Sequence, residues 1–305
     1  MTAEPLPLTG RARTAQDKAR VLREALPWIT RWAGRTVVIK YGGNALSPGD
    51  DGVGDAVAAA FAADVALLRR VGMRVVVVHG GGPQITALGQ RLGLRPRFVR
   101  GRRVTDPATL DVVKMALLGQ VNPRLVGLVA GAGARAVGLS GTDAGLIRAR
   151  PVPGLGAVGE VAGVRAAVLR TLLDDGVVPV VATLGRGPDG AECNINADTV
   201  AGAVAVALDA DKLIYLTDVP GLYESFGTAD SQLLSEVGAD RLRAMLATGS
   251  LRAGMVPKVE SIVAALDGGV AHAHLLDGRV EHALLLEVFT DEGVGTMVVP
   301  DRRGA

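Results

Sequence analysis

The chain has 305 residues, of which 49% are hydrophobic and 21% charged, a composition that fits one large α/β domain or two closely packed lobes and excludes a disordered chain. Lys and Arg number 33 against 31 Asp and Glu, and pairs such as Arg69-Arg70 and Arg102-Arg103 are scattered, so no nucleic-acid partner is expected. A single cysteine, Cys193, rules out an internal disulfide framework and a Cys-rich zinc site, which fits a reducing cytoplasm.

Residues 1–13 have no apolar core, so they read as a flexible leader and not as a signal peptide. Residues 14–33 read as an amphipathic helix, with Ala15, Ala19, Leu22, Leu26 and Ile29 at helical spacing and Gly34 as a stop. Pro27 predicts a kink in it. The helix either packs on its own domain or protrudes to pair with another subunit. Thereafter short apolar runs alternate with helical patterns. Strands are predicted at 36–40, 74–79, 135–139, 177–183, 212–217, 273–276 and 295–299. Helices are predicted at 55–70, 83–92, 105–118, 165–174, 199–208, 239–246 and 258–267, with 280–286 as a short helix or strand. Residues 151–164 carry Gly and Pro at hairpin spacing. The alternation predicts an open αβα sandwich with a mostly parallel sheet covered on both faces. Aromatics are 3% of the chain, so its core is expected to be Val, Ala and Leu. The longest apolar runs, such as 75–78 and 177–184, are too short to cross a bilayer, so no membrane partner is expected. No linker divides the chain, which suggests two lobes (34–190 and 191–305) sharing one sheet, with a soft boundary near 185–210.

Two glycine-rich loops directly follow strands, Lys40-Tyr41-Gly42-Gly43-Asn44 and His79-Gly80-Gly81-Gly82-Pro83. Bare glycine N–H groups and a new helix N-terminus would face an anion there, although such strand ends also occur as plain tight turns. The GxxxxGK[ST] phosphate loop cannot occur, because the chain has no Gly-Lys dipeptide. Gly154, Gly156 and Gly159 match GxGxxG, but in a predicted hairpin tip and not between a strand and a helix, which argues against dinucleotide binding. Asn196 and Asp198 precede a helix as capping-type residues that could also anchor a lysine. Residues 217–222 read as a ligand-binding turn. Lys258 sits at a helix start, where the dipole disfavours a cation, so its charge has some other use.

Taken together, VIKYGGNAL (38–46), VVVHGGGPQI (76–85), GRRVTD (101–106), NINADTVA (194–201), LTDVPGLY (216–223) and GMVPKV (254–259) resemble, in order, the amino-acid kinase family in its branch acting on N-acetyl-L-glutamate. The resemblance implies an ATP-dependent kinase of arginine biosynthesis, with Mg2+ held mainly by the nucleotide phosphates. The acyl-amino-acid site would lie in the N-terminal lobe and ATP in the C-terminal one. By position, Lys40 and Lys258 look like the lysines that stabilise the transferring phosphoryl group, and Asp198 like the carboxylate that holds them. Gly43, Gly81 and Gly82 look like backbone donors, and Arg103 and Asn194 like clamps on the acyl amino acid. Thr217, Asp218, Gly221, Leu222, Ser250 and Arg252 look like nucleotide-binding residues. The chemistry is consistent: a carboxylate nucleophile is already ionised at neutral pH, so no general base is needed, only relief of repulsion between two anions. Departures from the family are Arg102, Thr142 and Ala253.

The N-terminal helix and residues 273–296 also resemble the arginine-inhibited members, which assemble as hexamers (trimers of dimers). This implies that His274, Glu287 and Gly293 line an L-arginine site. The same residues read equally as ordinary helix and strand-edge positions. The nearest rival substrate is an aminoadipate derivative, one methylene longer. A rival from another class is a dinucleotide-dependent oxidoreductase.

Overall fold

The computed structural model describes residues 10–42, 53–224, 231–252, 254–290 and 293–301. Residues 1–9 of the expected leader, Gly43 and Ala253 lie outside the described residues. Helix α1 (Gly10–Trp32) is longer than its periodicity suggested, since residues 10–13, read as leader, are helical. It runs unbroken through Pro27, whose missing N–H leaves the Arg23 carbonyl without its helical donor.

The chain continues through β1 (Thr36–Tyr41), α2 (Val53–Arg70), β2 (Arg74–His79) and α3 (Gly82–Arg91). A small hairpin, β3 (Phe98–Val99) and β4 (Arg102–Arg103), leads to α4 (Pro107–Ala116), a π-helical turn Leu117–Val121, and α5 (Asn122–Gly131). Next come β5 (Ala136–Ser140), β6 (Ile147–Pro151), β7 (Val158–Val164), α6 (Ala167–Asp174), β8 (Val178–Ala182), β9 (Leu184–Arg186), β10 (Glu192–Ile195) and α7 (Ala197–Ala207). The C-terminal part is β11 (Lys212–Thr217), β12 (Tyr223–Glu224), β13 (Gln232–Leu233), β14 (Glu236–Gly238), α8 (Ala239–Thr248), α9 (Val256–Asp267), β15 (His272–Asp277), α10 (Ala283–Phe289) and β16 (Thr296–Val299).

Eight strands form one sheet in the order β14-β16-β15-β11-β1-β2-β8-β5. The six from β15 to β5 are mutually parallel, and β16 runs antiparallel to β15. The chain winds from β1 outward to β2 and β5, returns through β8, and then crosses to β11 on the other side of β1. The carboxyl end of β1 is therefore a topological switch point, where open α/β sheets leave a crevice. Strand alternation sorts the core into two layers. Val37, Ile39 and Tyr41 pack with α2, α5 and α10, while Val38 packs with α7 and α9 on the opposite face. The expected αβα sandwich follows directly, and the core is built of Val, Ala and Leu with few rings.

β6, β7, β9 and β10 close into a small barrel. The predicted hairpin is β6–β7, and Gly154 and Gly156 lie at its tip with φ of 78° and 70°. A Cβ on Gly156 would stand 2.2 Å from the Thr105 carbonyl oxygen, so this glycine permits a close backbone approach between the hairpin tip and the segment leading into α4. The periodic reading missed α5, where Pro123 and Gly127 obscure the pattern. It also missed β9 and β10, which are too short to alternate and exist through their barrel partners. Residues 280–286, left open between helix and strand, lead into helix α10. Together α4, the π turn and α5 make a continuous helical stretch Pro107–Gly131 that is long and apolar enough to cross a membrane, although Asp111, Lys114, Gln120, Asn122 and Arg124 keep it from forming one uninterrupted apolar run in the sequence. In the fold its α5 part packs against α2, β5 and β8 as a core helix.

Candidate active site

Because side chains alternate along β1, Lys40 emerges on the face of Val38, under α7 and α9. Asn196 caps α7, its Oδ1 accepting the N–H groups of Asp198 (2.8 Å) and Thr199 (3.2 Å). That cap places Asp198 in the first helical turn, where the dipole favours a carboxylate. The Asp198 carbonyl accepts hydroxyl donations from Ser261 (2.7 Å) and Tyr215 (3.2 Å), which tie α7 to α9 and β11. Lys258 is the third residue of α9. Its Nζ lies 3.0 Å from Asp198 Oδ2, and Lys40 Nζ lies 2.9 Å from Oδ1.

One carboxylate thus bridges two ammonium groups, and the three side chains are only 7% (Lys40), 8% (Asp198) and 16% (Lys258) exposed, so water screens them little. Burial alone would raise the Asp198 pKa, but Lys40 and Lys258 together outweigh it and hold the carboxyl below its ordinary value. Burial, aided by repulsion from Lys258, pulls the Lys40 pKa below 10.5, while Asp198 and Asp218 oppose it. The unfavourable position of Lys258 at a helix start is offset by Asp198. Sequence reasoning named all three residues but not the hydroxyls that hold Asp198, which carried no signal at their spacing.

Gly42 follows directly: a Cβ there would meet Lys40 Nζ at 3.1 Å and the Gly80 nitrogen at 3.6 Å, so the two glycine loops face each other beside the ammonium. Gly81 caps α3 and Gly82 opens it, exposed with open space around it. The Gly81 N–H has no partner among the described residues. Arg103 is half-buried beside this loop, donating to the Gly82 carbonyl (3.1 Å) and Thr86 Oγ1 (2.7 Å), with its guanidinium 4.8 Å from the Phe98 ring centre. Burial lowers its pKa, yet an arginine stays charged. Asn194 reaches the same place through buried Thr105, whose Oγ1 accepts from Asn194 Nδ2 (3.3 Å) and donates to the Arg103 carbonyl (2.8 Å). Thr105 was not singled out from the sequence, although it lies inside the GRRVTD segment.

At the carboxyl end of β11, Thr217 Oγ1 bonds the backbone of Val219 at 2.8 and 3.1 Å and shapes the turn toward Gly221. Asp218 acts electrostatically on Lys40, which ties this turn to the lysine cluster. Leu222 is buried, its N–H given to Thr296 Oγ1 (2.9 Å). Ser250 closes α8, its N–H and hydroxyl both bonding the Met245 carbonyl at 3.2 Å, and the Arg252 carbonyl accepts the Met255 N–H entering α9.

His274, Glu287 and Gly293 converge at the other end of β15. His274 Nδ1 is 2.5 Å from Glu287 Oε1, the Val294 N–H donates to Oε2, and a Cβ on Gly293 would lie 3.4 Å from that oxygen. Lys212 Nζ sits 3.1 Å from His274 Nε2 and 4.6 Å from the Trp32 ring centre of α1. An ammonium can only donate, so Nε2 accepts and the imidazole proton is on Nδ1, facing the carboxylate. Burial, together with Lys212, holds His274 below its usual pKa and so neutral, and burial brings Lys212 down to about 8. Lys212 and Trp32 were not predicted for this cluster.

This fold and charge arrangement suit the movement of a phosphoryl group between two anions, and the sequence agrees. Residues 35–277 match the amino acid kinase family, to which the chain belongs. It is 54% identical over 302 residues to the acetylglutamate kinase of Frankia alni, covering 96% of this chain and 85% of that one. It is 50% identical over 295 residues to the acetylglutamate kinase of Symbiobacterium thermophilum, covering 93% and 98%. Among solved structures, the N-acetylglutamate synthase of Neisseria gonorrhoeae complexed with coenzyme A and N-acetyl-glutamate superposes with a TM-score of 0.80 at 29% identity, over 93% of this chain and 63% of that longer one. Carbamate kinase of Giardia lamblia bound to AMP-PNP shares the fold, with a TM-score of 0.67 at 20% identity over 88% and 99% of the two chains.

Proposed function

We infer that the chain phosphorylates the side-chain carboxylate of N-acetyl-L-glutamate with ATP, a step of arginine biosynthesis, and that it works in the cytoplasm. The observation that carries this is the shared carboxylate: Lys40 and Lys258, from elements 218 residues apart, meet on the two oxygens of Asp198 at 2.9 and 3.0 Å beside the glycine loops. A carboxylate attacking a triphosphate needs its repulsion quenched and its geometry held, and paired ammonium groups of low exposure supply the first. We assign Lys40 and Lys258 to the transferring phosphoryl group and Asp198 to holding them, its two oxygens fixing their separation. Gly81 and Gly82 offer backbone donors, a role we also assign to Gly43 by its place in the first glycine-rich segment. Arg103 of the 34–190 lobe and Asn194 from just past its boundary, linked by Thr105, clamp the acyl amino acid against that lobe. Residues 217–222, Ser250 and Arg252 take the nucleotide in the 191–305 lobe. Mg2+ would be held mainly by the nucleotide phosphates and neutralise their charge, on the side of the cluster where Asp218 acts electrostatically on Lys40.

A coupled ADP-release assay with N-acetyl-L-glutamate, its aminoadipate homologue and free glutamate tests the assignment. Turnover with the first exceeding the others supports it; ADP release with none of them removes it.

We propose in addition that L-arginine inhibits the enzyme through His274, Glu287 and Gly293, and that α1 joins subunits into a hexamer. The convergence of these three residues next to α1 supports the first idea, as does a Neisseria gonorrhoeae N-acetylglutamate synthase structure complexed with coenzyme A and L-arginine, 28% identical with a TM-score of 0.76. Exposed Val21, Leu22 and Leu26 on α1 support the second. Because Glu287 is already engaged by His274 and the Val294 N–H, a guanidinium would have to share or displace those bonds. Millimolar L-arginine without effect on the rate would remove the first idea. An unchanged mass on light scattering after deletion of residues 1–33 would remove the second.

A further inference from the structure

His79 ends β2 with no solvent exposure, next to the glycine loop and without access to a substrate. Its Nδ1 lies 2.9 Å from the Gly80 carbonyl oxygen, and its Nε2 lies 3.0 Å from Asn122 Nδ2. Asn122 Nδ2 also donates to the Val180 carbonyl at 2.8 Å. Asn122 follows the π turn Leu117–Val121, whose extra residue shifts the register of the helical stretch. Space for its amide exists only because residue 138 is glycine: a Cβ there would lie 1.8 Å from Asn122 Oδ1.

The bonds have a fixed polarity. A backbone carbonyl can only accept, so Val180 orients the NH2 end of Asn122 toward itself and toward His79. His79 Nε2 then accepts and its proton sits on Nδ1, donating to the Gly80 carbonyl. Burial brings the His79 pKa down to about 4, consistent with one neutral tautomer. In a planar trans peptide the carbonyl and the next N–H point in opposite directions. Drawing the Gly80 carbonyl toward His79 therefore turns the Gly81 N–H, buried and without a partner among the described residues, away from the packed ring at the start of α3.

We propose that His79 and Asn122 are positioning residues for phosphoryl transfer: the chain Val180–Asn122–His79–Gly80 locks the Gly80–Gly81 peptide so that the Gly81 N–H is presented to the reacting anion. This rests on the kinase reading above. It differs from catalytic participation, because neither side chain touches a reacting atom, and from simple packing, because it requires one tautomer and one peptide orientation.

Two variants and one spectrum test it. His79→Leu removes the donor to Gly80. His79→Asn keeps a donor at the Nδ1 position and loses the bond to Asn122. In the ADP-release assay His79→Leu is expected to lower kcat by roughly 30-fold or more, within reach of the effect of losing one preorganised donor. KM for ATP and for the acyl amino acid should change less than about threefold, and His79→Asn should recover kcat to within about fivefold of the parent. Both variants lose the Asn122 contact, so a merely structural role would impair them alike. Independently of activity, 15N-edited NMR of the intact protein at neutral pH should show the His79 proton on Nδ1. A proton on Nε2, a folded His79→Leu protein with parental kcat, or a His79→Asn protein as slow as His79→Leu would each overturn the proposal. If the parent releases no ADP with any acyl amino acid, the kinase reading fails, and the tautomer measurement alone decides the peptide lock.

Discussion

Replacing Asp198 with Asn keeps the side-chain shape and removes the one charge that Lys40 and Lys258 share. At about 3 Å and an effective dielectric of about 20, each contact corresponds to roughly 5–6 kcal/mol of Coulomb attraction before desolvation and the mutual repulsion of the lysines are set against it. Deleting one member of a buried pair while leaving its partners typically destabilises by about 3–5 kcal/mol, and here two cations of low exposure would be left facing each other. For a chain of 305 residues, with about 2.1 cal/mol/K of unfolding entropy per residue, that corresponds to a fall in Tm of roughly 5–8 °C. The pH dependence is the sharper signature. Lys40 already titrates below 10.5 in the fold, and without Asp198 both burial and Lys258 push it lower still. The unfolded chain then holds more protons than the folded one between the folded pKa and about 10.5, so stability rises with pH across that window. The stability gap between Asp198→Asn and the parent should therefore narrow from about pH 7 to about pH 9.5, measured by urea denaturation at both. A Tm loss below about 1 °C at neutral pH, or a gap that widens with pH, would refute the shared-carboxylate account.

Lys40→Ala leaves Asp198 paired to Lys258, so the protein should fold while ADP release falls by about 10³-fold or more; parental turnover in a folded variant would show that Lys40 has no part in transfer. Gly138→Ala forces a Cβ into the Asn122 amide at 1.8 Å and should destabilise by about 2–3 kcal/mol in a denaturant titration; a neutral result would mean that Asn122 can move aside. His282 is linked at 2.6 Å to buried Asp64 of α2, chiefly through that bond, and its pKa is raised. Its contribution is present below about pH 6.5 and lost as pH rises through the folded value, so His282→Gln should cost up to about 1 kcal/mol near pH 6 and less near pH 9, the half-exposed ring limiting the size. An equal loss at both values would show that the imidazolium charge contributes nothing.

The amino-acid sequence by itself determined the parts of this protein that rest on local rules. Strands such as 74–79 and 212–217 were legible to the residue because short, almost wholly buried apolar runs bounded by Gly or Asp have few other solutions. The glycine loops were legible because they directly follow the strands at 36–40 and 74–79. Lys40, Asp198 and Lys258 could be named from their segments, but their meeting on one carboxylate could not, since residues 40 and 258 belong to elements brought together only when β11 crosses to the far side of β1. The same holds for Thr105 beneath Arg103 and Asn194, for the His79–Asn122 pair across β2 and α5, and for Lys212 and Trp32 beside Glu287. The physical reason is that periodicity reports which face of an element is buried, whereas the partner on that face is chosen by sheet order and helix packing, and hydrogen-bond polarity becomes fixed only after both partners are in place.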